Sequence, residues 1–223
     1  MTHEDQGRHV APDTPPLVIG AAAPAFSTRT TMGSRSLSDY RGRWLVFFSH
    51  PADFTPVCTS EFIAFSKSHR DFGAIGCDLL ALSVDSLFSH IAWVRAIADD
   101  FNVDVPFPIA EDPSMAIAAA YGMIHSDAVD SATVRSTFVI DPNGIVRAIL
   151  WYPMSIGRSV KEILRLVEAL QVSDTHAVST PEGWEKGDDI IVVPSLDLRE
   201  ASEQSSTGGG PWFYRTRKVE GMQ

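Results

Sequence analysis

Short, fully apolar runs alternating with amphipathic stretches predict an α/β chain built around a parallel sheet. Three observations carry that expectation. Residues 44–48 (Trp44, Leu45, Val46, Phe47, Phe48) form a continuous apolar run, the mark of a strand covered on both faces. A helix is expected from Pro56: Thr55 suits the N-cap, Pro56 occupies the first helical position, where its missing N–H is harmless, and Phe62 and Phe65 supply an inner face. A second apolar run at 79–84 leads to Ser86 as a cap and to Leu87, Ile91, Val94 and Ala98 at helical spacing.

The remaining elements follow in order. The first sixteen residues are polar and Pro-rich and read as a flexible arm. Residues 26–31 and 35–37 are spaced for a small hairpin turning at Met32, Gly33 and Ser34. After the second helix comes a short extended piece at 106–109, then a short helix at 114–121 with Gly122 as its stop. Residues 134–140 form a third core strand. The turn signal Asp141-Pro142-Asn143-Gly144 predicts that 145–151 return antiparallel. A last helix at 159–170 places Val160, Ile163, Leu164 and Val167 on one side. Strand, helix, strand, helix, strand–hairpin–strand, helix, with right-handed crossovers, is the thioredoxin-like α/β arrangement. Composition changes after Val172, so residues 17–172 are expected as the main domain and 173–223 as a smaller C-terminal extension, too poor in apolar residues for a good core of its own. It is expected to pack against the main domain or a partner subunit.

Composition narrows the function. The 223 residues carry a formal net charge of -10, which argues against general binding to nucleic acid or to an anionic membrane. The only dense basic stretch, 215–218, is short. No apolar run is long enough to span a bilayer, and the first residues lack a signal-peptide core, so a cytoplasmic location is expected. Two cysteines, Cys58 and Cys77, cannot frame a chain this long and suit a reducing compartment. His90, His125 and His176 show no ligand spacing, and no glycine-rich phosphate loop occurs, so neither a metal nor a cofactor is expected.

With Thr55 as N-cap, Cys58 is the third residue of its helix, where backbone N–H groups and the helix dipole favour a thiolate. Thr55 is placed to offer its hydroxyl to the sulfur or to a bound oxygen, and Pro51 to cover the sulfur. Arg135 opens the third core strand and is expected to point at the start of the Cys58 helix, paired with Glu61 or Asp53. His50 closes the first strand and is read either as a donor into the site or as a strand-end histidine bonded to backbone. Together these groups describe a small cleft with donors aimed at an oxygen-rich ligand.

Pro51-x-x-x-Thr55-x-x-Cys58 with Arg135 downstream resembles the active site of the peroxiredoxins, thiol peroxidases on a thioredoxin-like fold. Ser49-His50-Pro51, Thr55-Pro56-Val57-Cys58-Thr59 and Glu61 are similar to the one-cysteine, peroxiredoxin-6-like branch. So are Trp151-Tyr152-Pro153, Gly157-Arg158, Thr180-Pro181 and Trp184. The similarity runs over about 24–194. It implies Cys58 as peroxidatic nucleophile, Thr55 and Arg135 as groups that position peroxide, and Pro51 as a shield. It further implies His50 as a contact to the site, Arg158 as a second arginine near it and Glu61 as the holder of both arginines. Hydrogen peroxide and alkyl hydroperoxides are the implied substrates, and a homodimer or a ring of dimers the implied assembly. Arg158 also has a plainer reading, as a surface residue at a helix entry.

The chain departs from parts of that pattern. Residues 172–223 hold no resolving cysteine, and the apolar setting of Cys77 reads as a buried structural thiol, so an external thiol reductant is expected: glutathione, thioredoxin, ascorbate or another. Arg43 stands where lipase-active members of the branch carry a serine, so no phospholipase activity is expected. The alternative function is a thiol-based redox sensor or assembly protein. A Cys–His hydrolase ranks below both, because no Asn or Asp stands out as a partner for His50.

Overall fold

Fully apolar strands need cover on both faces, and the central strand of this protein obtains it from two separate sets of side chains. The computed structural model describes residues 16–124, 131–206 and 211–219, so the expectations about the first fifteen residues and His125 lie outside the described residues. The first hairpin is β1 (Ser27–Thr30) and β2 (Gly33–Ser36). It is followed by β3 (Trp44–Ser49), α1 (Pro56–Ala74), β4 (Cys77–Ser83), α2 (Leu87–Phe101), β5 (Ile109–Glu111) and α3 (Ala116–Ala120). β6 (Arg135–Ile140) and β7 (Val146–Tyr152) close a seven-stranded sheet ordered β2-β1-β5-β4-β3-β6-β7. β3, β4 and β5 are parallel, while β6 runs antiparallel to β3 and β7 to β6.

Side chains alternate along β3 as the pleat requires. Leu45 and Phe47 join Phe26, Tyr40, Leu80, Tyr121 and Phe138 in one cluster. Phe48 points the other way and stacks on Phe65 of α1, ring centroids 4.2 Å apart, with Phe62 and Phe107 at its edges. α1 is thus anchored by its own Phe62 and Phe65, which sets the height at which its first turn meets the end of β3.

Three boundaries bear on the expected ones for local reasons. Pro106 and Pro108 have no N–H to give a ladder, so the extended piece pairs only from Ile109, opposite Ala81. α3 is shortened at its start because Met115 adopts a left-handed backbone, φ 59°. The β6–β7 turn forms where expected: Asp141 Oδ1 accepts from Asn143 N and Ile145 N at 2.9 and 3.0 Å, and Gly144 supplies φ 74°.

The chain divides into two compact units at the Arg158–Ser159 junction, whereas its composition changes only after Val172. The second unit opens with α4 (Val160–His176), longer than expected because no Gly or Pro interrupts 171–176. Ser159 caps it by accepting from Glu162 N, and Ala177 ends it in the left-handed region, φ 51°. β8 (Ile190–Ile191) pairs antiparallel with β9 (Thr216–Arg217), and α5 (Leu198–Ser206) lies between them in sequence. This unit does possess a small core: Ala169, Val172, Val178, Ile190 and Trp184, the last 1% exposed.

Candidate active site

β3 stops at Ser49, and the six residues before α1 return the chain so that the helix starts beside the strand's end. Thr55 takes the N-cap backbone conformation, φ -101° and ψ 145°, and its carbonyl accepts from Thr59 N at 2.9 Å. Pro56 follows at the first helical position and Cys58 at the third. The Thr55 side chain does not cap the helix. Its hydroxyl donates to Ala52 O at 2.9 Å, which leaves the oxygen lone pairs, not the proton, for a ligand.

Cys58 has no accessible surface, and Arg135 Nη1 donates to its Sγ at 3.3 Å. The same nitrogen donates to Glu61 Oε2 at 2.9 Å, while Arg135 Nε donates to Met154 O at 3.0 Å. Arg135 is therefore aimed from three sides, and its acidic partner is Glu61, not Asp53. Glu61 stands on α1 three residues after Cys58, on the same face of the helix.

Arg158 is a core residue and not a surface one. Its Nε and backbone N both donate to Glu61 Oε1, at 2.9 and 2.7 Å, and its Nη2 to Glu61 Oε2 at 2.7 Å. Its Nη1 donates to Ser49 O, Ser136 O and Thr137 Oγ1, and the guanidinium lies 5.0 Å from the Phe48 ring centroid. Burial pushes the Glu61 carboxyl up, but the Arg158 bonds and both positive charges outweigh that and hold it below its ordinary range. Two guanidinium groups and one carboxylate leave a single positive charge enclosed beside the sulfur.

His50 is not a donor to the sulfur here. Its ring is wholly buried and its Nε2 bonds to Asp53 Oδ1 at 2.9 Å, while Asp53 Oδ2 takes a second bond from His90 Nδ1 at 2.8 Å. The His50 backbone is fixed as well: its N donates to Leu82 O and its carbonyl accepts from Thr133 Oγ1. Burial lowers the tendency of His50 to protonate, and the Asp53 carboxylate opposes this only in part. Asp53 is pushed up by burial and pulled further down by its two histidine bonds, so it stays ionised. Asp53 and His90 are the residues that sequence spacing misses. His50-x-x-Asp53 is readable as a local pair, but His90 lies 37 positions on from Asp53 and meets it only through folding. The three residues have metal-ligand chemistry, and one candidate ligand atom from each lies within 4.8 Å of the other two, but the ring nitrogens facing Asp53 are already engaged with it.

The relatives of this chain match about nine tenths of its length. Residues 19–149 match the model of the AhpC/TSA family, and 169–207 match the C-terminal domain of 1-Cys peroxiredoxin. A peroxiredoxin of Aquifex aeolicus is 44% identical over 214 residues, covering 90% of this chain and 96% of the relative. One of Thermoplasma volcanium is 48% identical over 201 residues, covering 90% and 98%. The chain belongs to the peroxiredoxin family. Its fold is accordingly the thioredoxin-like one with a C-terminal extension, and its members are thiol-dependent peroxidases. Among solved structures, the yeast mitochondrial 1-Cys peroxiredoxin superposes with a TM-score of 0.81 at 38% identity, covering 91% of this chain and all of that one. Peroxiredoxin 6 of Arenicola marina superposes with a TM-score of 0.80 at 31% identity, covering 92% and 99%.

Among the described residues of this peroxiredoxin, no cleft is seen to open onto the sulfur. A cavity of about 430 Å³ lies between α1 and α2, lined by Phe54, Thr55, Thr59, Trp93 and Phe101 among others, but Cys58 is not in its wall. Pro51 is buried beside His50, and Phe54 holds a left-handed backbone, φ 55°, between Asp53 and Thr55. Cys77 pairs with Trp44 at the opposite end of β3, a strand that spans roughly 17 Å or more at ~3.3 Å per residue. Burial pushes the Cys77 thiol up to about 12. Both cysteines are free thiols.

Proposed function

We propose that Cys58 is the peroxidatic nucleophile of a one-cysteine cycle that reduces hydrogen peroxide and alkyl hydroperoxides. The observation that carries the proposal is the 3.3 Å bond from Arg135 Nη1 to Cys58 Sγ at the third position of α1. A guanidinium and a helix N-terminus both favour the anionic sulfur that attacks. The sulfur forms a bond to the terminal peroxide oxygen as the O–O bond breaks. The sulfur is oxidised to a sulfenic acid, the peroxide is reduced, and the leaving alkoxide or hydroxide takes a proton to depart as alcohol or water. Arg135, held by Glu61 and Met154 O, stabilises charge moving onto the oxygens, and the Thr55 oxygen accepts from the peroxide O–H.

The partner of the oxidised sulfur is an external thiol. Cys77 is buried, lies at the far end of β3 and favours its neutral form, so it is a poor resolving group. The yeast mitochondrial 1-Cys peroxiredoxin has a thiol-resolving mechanism that runs via glutathione and thioredoxin systems, and a small or protein thiol of that kind suits this chain. Residues 17–172 are the catalytic part and 173–223 the extension, in a homodimer or ring of dimers working in the cytoplasm. No described helix is long and apolar enough to cross a membrane. The test is peroxide consumption with dithiothreitol as reductant: many turnovers per subunit are expected from the wild type and none from Cys58→Ser. Arrest of the wild type after one equivalent would favour a sensor over an enzyme.

A further inference from the structure

We propose that Asp53 and His90 are positioning residues of the peroxidase: clamped between β3 and α2, they hold His50 and the 51–55 loop that carries Pro51 and Thr55 to the start of the Cys58 helix. The proposal rests on the peroxidase reading of Cys58 and concerns residues outside the sulfur's own contacts. Three elements meet at one buried carboxylate. His50 comes from the end of β3, Asp53 from the loop and His90 from α2, and the side-chain exposures are 0%, 2% and 0%. Asp53 is tied a third time, through its backbone N to Asp85 Oδ2 at 3.1 Å, and Asp85 is itself fixed by Ser83 Oγ at 2.7 Å.

This many anchors on one residue answers a mechanical need. The loop must carry Phe54 in a left-handed backbone that costs a bulky residue about 1 kcal/mol or more, and surrounding structure must over-determine such a conformation for it to persist. Asp53 precedes Phe54 directly, and Thr55 Oγ1 is aimed by its bond to Ala52 O across the same turn. The clamp also fixes His50. With Nε2–H given to Asp53, proton exchange at His50 is confined to Nδ1, and the His50 carbonyl meets Thr133, two residues before Arg135. The carboxylate thus ties the loop that carries Thr55 to the strand that carries Arg135. The charged groups facing the pair are Asp85, which acts on His50, and Glu111, which faces His90 and accepts from Leu87 N at the start of α2.

The test compares His90→Leu, which removes the donor, with His90→Asn, whose amide nitrogen can replace Nδ1. Three quantities are read on each: the rate of Cys58 oxidation by hydrogen peroxide, its pH profile, and the rate of Cys58 alkylation by iodoacetamide. His90→Leu is expected to slow peroxide oxidation by about tenfold or more, the cost of a misplaced positioning group, with alkylation undiminished. Because Asp53 keeps its bond to His50 and is held well below the ordinary carboxylate range, the acid limb of the profile is expected to keep its position while the rate falls. His90→Asn is expected to restore the rate to within about threefold of wild type. A wild-type rate in His90→Leu would overturn the clamp, as would equal slowing of oxidation and alkylation with no rescue by His90→Asn. If His90→Leu does not fold, Asp53→Asn, close in volume, is read in the same way: slowed oxidation with undiminished alkylation supports the clamp, and a wild-type rate overturns it. A wild-type chain inert to peroxide would instead overturn the peroxidase reading, and the clamp with it.

Discussion

At the scale of single residues, the site is decided by where two arginines find their counter-ion. Glu61 is 2% exposed and bonds to both Arg135 and Arg158, so removing it leaves two guanidinium groups buried without their carboxylate counter-ion. Glu61→Ala is therefore expected to cost about 3–5 kcal/mol of stability, measured as a shift in the urea midpoint. Arg135→Lys keeps a charge but loses the fork that reaches Met154 O, Glu61 and Cys58 together. Its peroxide rate is expected to fall about a hundredfold, as for loss of an oxyanion donor, and a change of less than about threefold would remove Arg135 from the mechanism. Cys77→Ala is expected to leave the same rate within about twofold, since Cys77 sits at the other end of β3. The residues proposed to carry the chemistry are readable because local rules place them: N-cap, proline and cysteine lie within four consecutive positions. His50 is placed by those rules but not oriented. Sequence gives a strand-end histidine no direction, and only the fold shows that Asp53 and His90 claim its ring.

The elements show the same division between local and distant causes. β3, α1, β4 and α2 are legible because each has a one-period apolar pattern or a polar cap. β5 begins later than its sequence suggests because Pro106 and Pro108 look extended yet cannot join a ladder, and α3 is shorter because nothing in the sequence marks Met115 as left-handed. α2 matters to the site through His90, and its start is held by Ser86 Oγ, which accepts from Ser89 N at 3.3 Å, and by Glu111 at Leu87 N. Ser86→Ala is expected to cost about 1 kcal/mol by thermal or urea unfolding. An unchanged midpoint would mean that Glu111 alone secures that end.

Across the whole molecule, Glu61, Asp53 and His50 make stability fall as the pH drops below neutral. Glu61 and Asp53 are held below their ordinary range, so each contributes stability above its usual value of roughly 4 and loses it as pH falls towards the folded value. His50 is also held down, by burial, so the unfolded chain binds its proton first. Its contribution is complete above roughly 6.5 and declines as pH falls below that. Urea midpoints are thus expected to be flat from about pH 8 to about 7, to slip towards about pH 5 and to drop steeply below about 4. A midpoint that rose as the pH fell from about 7 to about 5 would show His50 to be protonated in the folded state. The proposed function turns on the sulfur of Cys58, and the mass of that residue after one equivalent of hydrogen peroxide tests its role most directly, with Cys77→Ser alongside. One added oxygen, trapped as sulfenic acid on Cys58, is predicted in both chains. An unmodified Cys58, or a disulfide joining Cys58 to Cys77, would contradict a one-cysteine peroxidase.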